Sequence, residues 1–318
     1  MIGYKTKLGE CLCENSLETL ARLQDNSINL IMTSPPFSLQ RKKKYNNFDE
    51  VSQDEYVDWL LQWGKVAYNK LAPDGSFVID LGGAYEQGRP VRSLYQIRFL
   101  IRMCDELHYN WCQDVYWYNK SSLPLPIQWV NKNHERLKSA VNLNLWFSKS
   151  ERPKANNQNV LVPYSDRMKR FIEHPQEFIG GEQAARPSGN VMVAKSWAKD
   201  NGGAISSNLL QIPNSASNDQ YLRTCKKQGL KAHPARYPYK LVEFWIKFLT
   251  DEKDVVVDPF SGSNITGRVA EDLNRHWLSI DISPEYVASS SWRFKADSDE
   301  KSKKQFDDIM NGSEIILE

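Results

Sequence analysis

The feature that most constrains the fold is an apolar segment that stops at two consecutive prolines. Residues 28–33 read INLIMT, which predicts a buried strand, and Ser34-Pro35-Pro36-Phe37 follow it directly. Proline fixes φ and has no backbone N–H, so neither a helix nor a central strand continues easily through this corner. We therefore expect the strand to end here and the chain to leave the sheet in a stiff loop.

Strand and helix patterns alternate through the outer parts of the chain. Apolar residues at helical spacing predict a helix over 53–71, and SFVIDL predicts a strand over 76–81. Near the other end we expect a strand over 254–258, a helix over 265–273 and a strand over 276–281. This alternation predicts an α/β fold, with helices on both faces of a mostly parallel sheet.

The middle of the chain, residues 151–230, differs in composition from the parts that flank it. It holds 11 lysines and arginines against 7 acids, whereas the remainder holds 30 against 32. It is rich in Asn, Ser and Gly, and large apolar side chains punctuate it. We therefore expect a loop-rich insertion rather than a disordered linker, between residues 1–150 and 231–295, with a C-terminal tail over 296–318.

Composition argues against several classes of protein. No apolar stretch approaches the length of a membrane span, and the N-terminus lacks the apolar core of a signal peptide. We therefore expect a cytoplasmic protein with no membrane partner. Five cysteines without paired CxxC spacing predict reduced thiols, and no His, Cys and acid cluster has metal-site spacing. We expect no metal.

A glycine-containing turn in the run DVVVDPFSGSNITG indicates a nucleoside site. Asp258 ends the predicted strand, and Ser261, Gly262 and Ser263 precede the predicted helix. Glycine lets a ligand approach the backbone, and a helix N-terminus offers free N–H groups. The next strand ends at Asp281, where nucleoside-binding sheets bond ribose hydroxyls. A purely structural turn is the alternative, but the two acids together favour S-adenosyl-L-methionine, which has a ribose and a cationic methionine portion.

The proline corner has the chemistry of an acceptor for an amino group. Its carbonyls point in fixed directions, Ser34 adds a hydroxyl, and Phe37 adds a flat ring for stacking. If Ser34 Oγ and the Pro35 carbonyl accept the two hydrogens of an exocyclic NH₂, the nitrogen lone pair can attack a sulfonium methyl. The corner therefore predicts methyl transfer to the amino nitrogen of a planar group.

Four segments together resemble the amino-methylating DNA methyltransferases, from about residue 14 to residue 295. They are TSPPF, FVIDLGGAY, HPARYP and DPFSGSNITG, in the order of the class that places the catalytic motif before the cofactor motif. The resemblance implies a Rossmann-like, S-adenosyl-L-methionine-dependent methyltransferase sheet with circularly permuted motif order. It implies methylation of N4 of a flipped cytosine in double-stranded DNA, and a cognate restriction endonuclease as functional partner.

The resemblance also assigns roles to parts of the chain. Residues 1–150 become the catalytic half, 151–230 the target-recognition region, and 231–295 the cofactor-binding half. It implies a catalytic group of Ser34, Pro35, Pro36, Phe37 and Asp80. It implies cofactor contacts at Asp258, Phe260, Ser261, Gly262, Ser263, Asn264, Asp281, His233 and Arg236. In this reading Asp80 orients Ser34 or draws positive charge from the attacking nitrogen.

One position departs from the family pattern. Glu14 and Asn15 stand where the family commonly has Gly-Asp in contact with the cofactor. We therefore expect no cofactor carboxylate at residue 15. Asn15 instead suits the N-cap of a helix, with Glu18 three residues further on.

Four consecutive cations, Arg41, Lys42, Lys43 and Lys44, follow the proline corner. A charge run is usually a solvated surface, but next to the corner it predicts contacts with DNA phosphates. The net charge of the whole chain is only +2, so DNA binding must depend on such local charge.

Alternatives stay open at this point. An N6-adenine DNA methyltransferase, or an enzyme for an RNA or a protein glutamine amide, would present the same NH₂ to the corner. The Ser-first, Phe-last motif is the form associated with N4-cytosine enzymes, and no cysteine follows a proline as a C5-cytosine enzyme requires. A non-catalytic DNA-binding protein is the other class, and the intact corner together with Asp80 argues against it.

Overall fold

The computed structural model describes residues 3–36, 52–177, 198–215, 219–295, 298–313 and 315–317. The predictions for Phe37 and for the cations Arg41, Lys42, Lys43 and Lys44 lie outside these residues. The chain forms two compact units. The first comprises residues 1–155 with 208–318, and the second comprises 156–207.

Within the described residues, the first unit contains one sheet of ten strands. In chain order the strands are β1 (Gly3–Lys5), β2 (Gly9–Cys13), β3 (Ile28–Thr33), β4 (Leu71–Leu81), β5 (Asn110–Tyr118), β6 (Val141–Ser148), β7 (Leu209–Gln211), β8 (Val255–Asp258), β9 (His276–Asp281) and β10 (Ile315–Ile316). Their order across the sheet is β10-β1-β2-β9-β8-β3-β4-β6-β5-β7. The five central strands from β2 to β4 are parallel, and β6 runs against both of its neighbours.

The described helices of the first unit are α1 (Ser16–Arg22), α2 (Gln53–Lys70), α3 (Tyr95–Asp105), α5 (Gln220–Lys227), α6 (Tyr239–Leu249), α7 (Ile265–Asp272), α8 (Pro284–Ser290) and α9 (Asp299–Met310), and α4 (Asp166–Glu173) belongs to the second unit. Ser52 and Glu55 begin α2 with a reciprocal capping box, which satisfies two backbone N–H groups. None of the described helices has the length and apolar character needed to cross a membrane.

The sheet is buried on both faces, which explains why β3 reads as a continuous apolar run. Leu30 and Met32 pack into one hydrophobic cluster, whereas Ile31 between them packs into the other. The first cluster includes Trp245 of α6, and the second includes Tyr56 of α2. The two faces therefore fix the register of β3 and the direction in which its last residues point.

The predicted parallel core is confirmed, with β3 and β9 at the expected residues. The predicted strand over 76–81 is part of a longer one, because β4 already pairs Leu71 with Ile28 before the register shifts and continues at Ser76. The antiparallel strands β5 and β6 were not predicted. Helix α1 begins as expected, with the Asn15 side chain accepting the Leu17 N–H.

The C-terminal part of the predicted insertion and the tail belong to the first unit. Strand β7 pairs with β5, and Tyr221 and Cys225 of α5 are buried with Trp292. In the tail, β10 pairs with β1, and Ile309 of α9 is fully buried. The role of residues 151–230 in target recognition stays a prediction.

The described residues of the second unit, 156–177 and 198–207, form short elements. They contain a 3-10 turn at Asn157–Val160, an antiparallel bridge between Val162 and Ala204, and helix α4, which the Ser165 side chain caps. The predicted loop-rich character agrees with these short elements.

Candidate active site

The predicted site residues converge where the sheet changes its direction of winding. Strand β3 leads through α2 to β4 on one side, and β8 leads through α7 to β9 on the other, while β3 and β8 are neighbours. At such a switch point the carboxyl ends of the parallel strands open a crevice for ligands. Four of these adjacent ends carry Ser34, Asp80, Asp258 and Asp281.

Asp258, at the end of β8, is enclosed and fully hydrogen-bonded. Its Oδ1 accepts from Thr33 Oγ1 at 2.7 Å and from Phe260 N at 3.1 Å, and its Oδ2 accepts from Thr266 Oγ1 at 2.7 Å. Burial raises the pKa of the Asp258 carboxyl to about 6, although these hydrogen bonds oppose the change. The carboxylate therefore ties β3, β8 and α7 together, and it could act on a cofactor through its charge rather than through a free oxygen.

Asp80, at the end of β4, is also buried but has two amide donors. Asn144 Nδ2 donates to its Oδ1 at 2.7 Å, and Asn142 Nδ2 donates to its Oδ2 at 3.1 Å. Trp245 Nε1 donates to Asn144 Oδ1 at 3.1 Å, which fixes the orientation of that amide. Burial raises the pKa of the Asp80 carboxyl to about 7, while the two amides oppose the rise. This carboxyl can therefore gain or lose a proton near neutral pH.

The proline corner is anchored at both of its ends. Ser34 Oγ donates to the main-chain carbonyl of Asp80 at 3.3 Å, and Tyr56 OH donates to the Pro36 carbonyl at 2.8 Å. Pro35 between them is buried. Asp80 therefore orients Ser34 through its backbone, while its carboxylate is held by the two asparagines.

Two buried hydroxyls in the crevice, Tyr237 OH and Ser261 Oγ, make no hydrogen bond of ordinary geometry within the described residues. Burial raises the pKa of the Tyr237 phenol well above its usual range, the charges of Asp258 and Asp80 raise it further, and Ser34 opposes them. Tyr237 OH thus faces the predicted catalytic group. Both hydroxyls are enclosed by the protein, Tyr237 beside Ser34 and Ser261 beside the thiol of Cys11.

The glycine turn has a backbone conformation that favours glycine, and the ring of His233 packs closely against it. Gly262 has φ of +51°, and a Cβ added there would lie 2.9 Å from the His233 ring. Asp281 accepts from Gly262 N at 2.8 Å and from Ser283 N at 2.9 Å, and burial raises its pKa. Both oxygens of Asp281 therefore accept backbone N–H groups, and contact of this turn with S-adenosyl-L-methionine stays a prediction.

Two other predicted cofactor residues, Phe260 and Ser263, use their side chains to hold the structure together. Phe260 packs against Trp59 and Trp63 of α2, with ring centroids 5.5 and 5.0 Å apart. Ser263 accepts hydrogen bonds from Arg293 through both its carbonyl and its hydroxyl. A cofactor contact at these two residues stays a prediction.

Asn264 is fully buried, has φ of +51° and caps α7. Its Oδ1 accepts from Gly267 N at 2.9 Å and from Ser279 Oγ at 2.6 Å, and its Nδ2 donates to Tyr4 OH at 2.8 Å. Both ends of the amide are therefore used within the protein. Any contact of Asn264 with a cofactor would have to involve its backbone.

The HPAR segment packs against the glycine turn through the ring of His233. The His233 ring stacks edge-on against Tyr286, with centroids 4.6 Å apart, and its Nδ1 lies 2.5 Å from the Ala235 carbonyl. Arg236 Nη1 donates to the His233 carbonyl at 2.6 Å, and burial lowers the pKa of its guanidinium. Both residues are held by the segment itself, which positions the ring over Gly262.

Sequence reasoning missed several residues of the site: Thr33, Tyr56, Asn142, Asn144, Tyr237 and Thr266. A signal existed for Asn142 and Asn144, because VNLNLWFS repeats a polar amide at alternate positions of an apolar strand. Such residues share one face of the strand, and buried amides require partners. The other four give no local signal, since their partners lie far away in sequence.

Comparisons with known proteins show which family the chain resembles. The DNA methylase family model, for N6 and N4 methylation, matches residues 28–291. Among curated proteins, the chain is 53% identical to the type II methyltransferase M.PvuII of Proteus hauseri, over 99% of this chain and 93% of that protein. It is 26% identical to M.HpaI of Haemophilus parainfluenzae, over 96% and 77% respectively.

Solved structures give the same result. The PvuII DNA methyltransferase (cytosine-N4-specific) aligns with a TM-score of 0.80 at 46% identity, covering 99% of this chain and 96% of that one. TTHA0409 of Thermus thermophilus, complexed with S-adenosyl-L-methionine, aligns with a TM-score of 0.53 at 16% identity, over 99% and 100% of the chains, and shares the fold. The chain described here therefore belongs to the N6/N4 DNA methylase family.

Proposed function

We propose that this protein transfers a methyl group from S-adenosyl-L-methionine to N4 of a cytosine flipped out of double-stranded DNA. The observation that carries the proposal is the hydrogen bond from Ser34 Oγ to the Asp80 carbonyl, which holds the proline corner next to Asp80, in a chain 53% identical to M.PvuII. The structural relative at 46% identity is described as cytosine-N4-specific. This favours N4-cytosine over N6-adenine.

Each residue has a task in the reaction. When bound, the cofactor supplies an electrophilic methyl group. Asp281, Gly262 and the Ser261 hydroxyl hold the ribose and amino-acid groups, and the charge of Asp258 favours the cationic end. These residues fix the position from which the methyl group is taken, which lowers the entropic part of the barrier.

The proline corner acts on the base. Ser34 Oγ and the Pro35 carbonyl accept the two N4 hydrogens, and this directs the nitrogen lone pair towards the methyl group. Asp80 stabilises the positive charge that develops on N4 until one N4 proton is lost to solvent, because its carboxylate is buried and preorganised by Asn142 and Asn144. Phe37 stacks on the flipped ring, which offsets part of the cost of leaving the helix.

The biological role follows from the relatives, which are described as type II methyltransferases. We propose that methylation protects DNA from a cognate restriction endonuclease, which is a functional partner. Residues 151–230, which include the second unit, would recognise the DNA sequence through the edges of the bases. Contacts with phosphates would set the register of this region on the duplex.

Mass spectrometry of nucleosides tests the proposed function. Unmethylated DNA is treated with the protein and isotope-labelled cofactor and is then digested to nucleosides. We expect labelled N4-methylcytosine with the wild-type protein and none with Ser34→Ala. Labelled N6-methyladenine would show that adenine, not cytosine, is the target base. Absence of label in the DNA would overturn the proposed function.

A further inference from the structure

The connection between β5 and β6, residues 119–140, lies at the rim of the candidate active site and is called the rim loop below. A hydrogen bond of 2.8 Å from Asn119 N to the Ala140 carbonyl joins its two ends. Two residues beyond Ala140, Asn142 donates to Asp80. The rim loop therefore leaves and rejoins the sheet beside the catalytic carboxylate.

The rim loop exposes large apolar side chains. Leu137 is 90% exposed, Leu123 71% and Ile127 55%. Apolar side chains that cluster on a surface mark an interaction site more often than scattered ones do. The rim loop is nevertheless internally hydrogen-bonded: Asn131 Nδ2, for example, donates to the Pro124 carbonyl at 2.7 Å.

The charge of the rim loop is strongly positive. It contains Lys120, Lys132, Arg136 and Lys138 against the single acid Glu135. Across the described part of the chain, none of these four cations forms an ion pair with a carboxylate. Their positive charge is therefore available to an anionic partner.

The two cations next to Leu137 also shape the rim loop. Arg136 Nη2 donates to the Pro90 carbonyl at 2.9 Å, and Lys138 Nζ donates to the Ser122 carbonyl at 3.2 Å. Because a carbonyl group carries no net charge, the positive charges of Arg136 and Lys138 are not compensated by these hydrogen bonds. Leu137 is thus presented between two cations whose positions are set by the backbone.

Helix α3 shows that apolar exposure alone does not produce this pattern. Ile101 there is 51% exposed, but the neighbouring cations Arg98 and Arg102 pair with Asp54 and Asp58 at 3.0 and 2.5 Å. An apolar patch with compensated charge has no preference for a polyanion. The rim loop combines exposed apolar groups with uncompensated positive charge, which suits nucleic acid.

We propose that the rim loop is a contact surface for duplex DNA, with its cations facing phosphates and Leu137 filling the space that the flipped nucleotide leaves. The inference rests on the proposed function, because an apolar wedge is needed where a base leaves the stack. Apolar side chains flanked by cations perform this task in proteins that distort DNA. The ends of the rim loop lie beside Asp80, which puts the loop on the side of the site proposed for the base.

Salt dependence of binding tests the phosphate contacts. Lys120→Gln with Lys132→Gln removes two charges whose side chains make no hydrogen bond within the described residues. Fluorescence anisotropy with a short duplex of arbitrary sequence should give a log–log salt slope smaller by about 0.9 per lost contact. Arg98→Gln with Arg102→Gln is the matched control, and we expect it to leave the slope unchanged. An unchanged slope in the loop variant would overturn the contact.

Leu137→Ser tests the wedge, with Ile101→Ser as the matched apolar control on α3. Sequencing of DNA methylated by the wild type provides the duplex that contains the target site. We expect the methylation rate of Leu137→Ser to fall about 10-fold or more on the paired target, because flipping costs a few kcal/mol. On a duplex with the target cytosine mispaired, where flipping costs less, the loss should shrink severalfold.

The outcomes separate the two proposals. Equal losses on paired and mispaired targets, or no loss on either, would overturn the wedge while leaving the proposed function intact. Absence of methylation by the wild type would remove the proposed function, but the salt slope would still test the phosphate contacts. Sedimentation that shows Leu137→Ser dissociating a dimer, without a change in DNA binding, would assign the surface to a second copy of the chain.

Discussion

Two buried carboxylates flank β3 at the mouth of the crevice, and they are held in different ways. Asp258 receives two hydroxyls and one backbone N–H from the strands and helix that meet around it. Asp80 receives two amides from one neighbouring strand. The pKa of Asp258 is raised to about 6 and that of Asp80 to about 7.

The difference separates a carboxylate that organises the fold from one that is available for chemistry. The donors of Asp258 come from β3, α7 and the glycine turn, so the carboxylate joins three elements. The donors of Asp80 come from β6 alone, and its ionisation is balanced near neutral pH. Perturbed carboxyls in a crevice are typical of catalytic groups, and the predictions below test this division of roles.

The largest expected effect is that of Asp80→Ala on turnover. Loss of the preorganised charge should lower kcat by about 10²–10³-fold, because a fixed group that stabilises developing charge contributes on this scale. Methyl transfer from labelled cofactor measures the rate. Cofactor affinity, measured by calorimetry, should stay at the wild-type value. An unchanged kcat would make Asp80 as structural as Asp258.

Asp281→Asn should act on the cofactor instead of the chemistry. The amide keeps one acceptor oxygen but loses the charge, and a hydrogen bond to a charged group contributes about 1.5–3 kcal/mol. We expect cofactor affinity to fall about 10- to 100-fold, with kcat at saturating cofactor near the wild-type value. A fall in kcat with normal cofactor affinity would contradict the assignment.

Thr266→Val should lower the free energy of unfolding by about 1–3 kcal/mol, because it leaves Asp258 Oδ2 without a donor. Below a pH of about 6 the folded-state carboxyl is protonated and needs the donor less, so the loss should be largest above that pH. Denaturant unfolding at two pH values measures it. Thr266→Ser keeps the hydroxyl and is the control, and equal losses in both variants would exclude the hydrogen bond as the cause.

The smallest expected effect is a shift in the pH dependence of kcat. Activity should fall as the pH drops through about 7, since Asp80 then becomes protonated. The Asn142 amide stabilises the ionised form, so Asn142→Ala should raise the pKa of Asp80 further. We expect the acidic limb to move to higher pH by about 0.5–1 unit. A shift to lower pH would contradict the assigned sign.

The sequence predicted the parallel core because each of its elements is specified locally. INLIMT and HWLSID are buried strands by composition, and Asn15 and Ser52 cap helices through neighbours three or fewer residues away. The pairing of β5 with β6 depends on partners as far apart as Asn110 and Ser148, which no local pattern records. Motif resemblance located Asp80 and Asp258 but could not reveal their donors.

A sequence motif also does not distinguish the roles of the residues within it. Gly262 and Asp281 were singled out because a positive φ and a strand-end acid can be read from their own positions, and their contact with a cofactor stays a prediction. Asn264 shares the motif, yet its amide is used to cap α7 and to bond Ser279 and Tyr4. A motif therefore marks a stretch of chain without dividing it into residues that hold a ligand and residues that hold the loop.

The last residue of β3 and the first residue of the proline corner are consecutive, and their hydroxyls bond in opposite directions. Thr33 donates to Asp258 on the side proposed for the cofactor, and Ser34 donates to the Asp80 carbonyl on the side proposed for the base. A single peptide unit therefore connects the part of the site proposed for the cofactor with the part proposed for the base. A substitution that moves this peptide unit would therefore disturb the surroundings of Asp258 and of Asp80 at the same time.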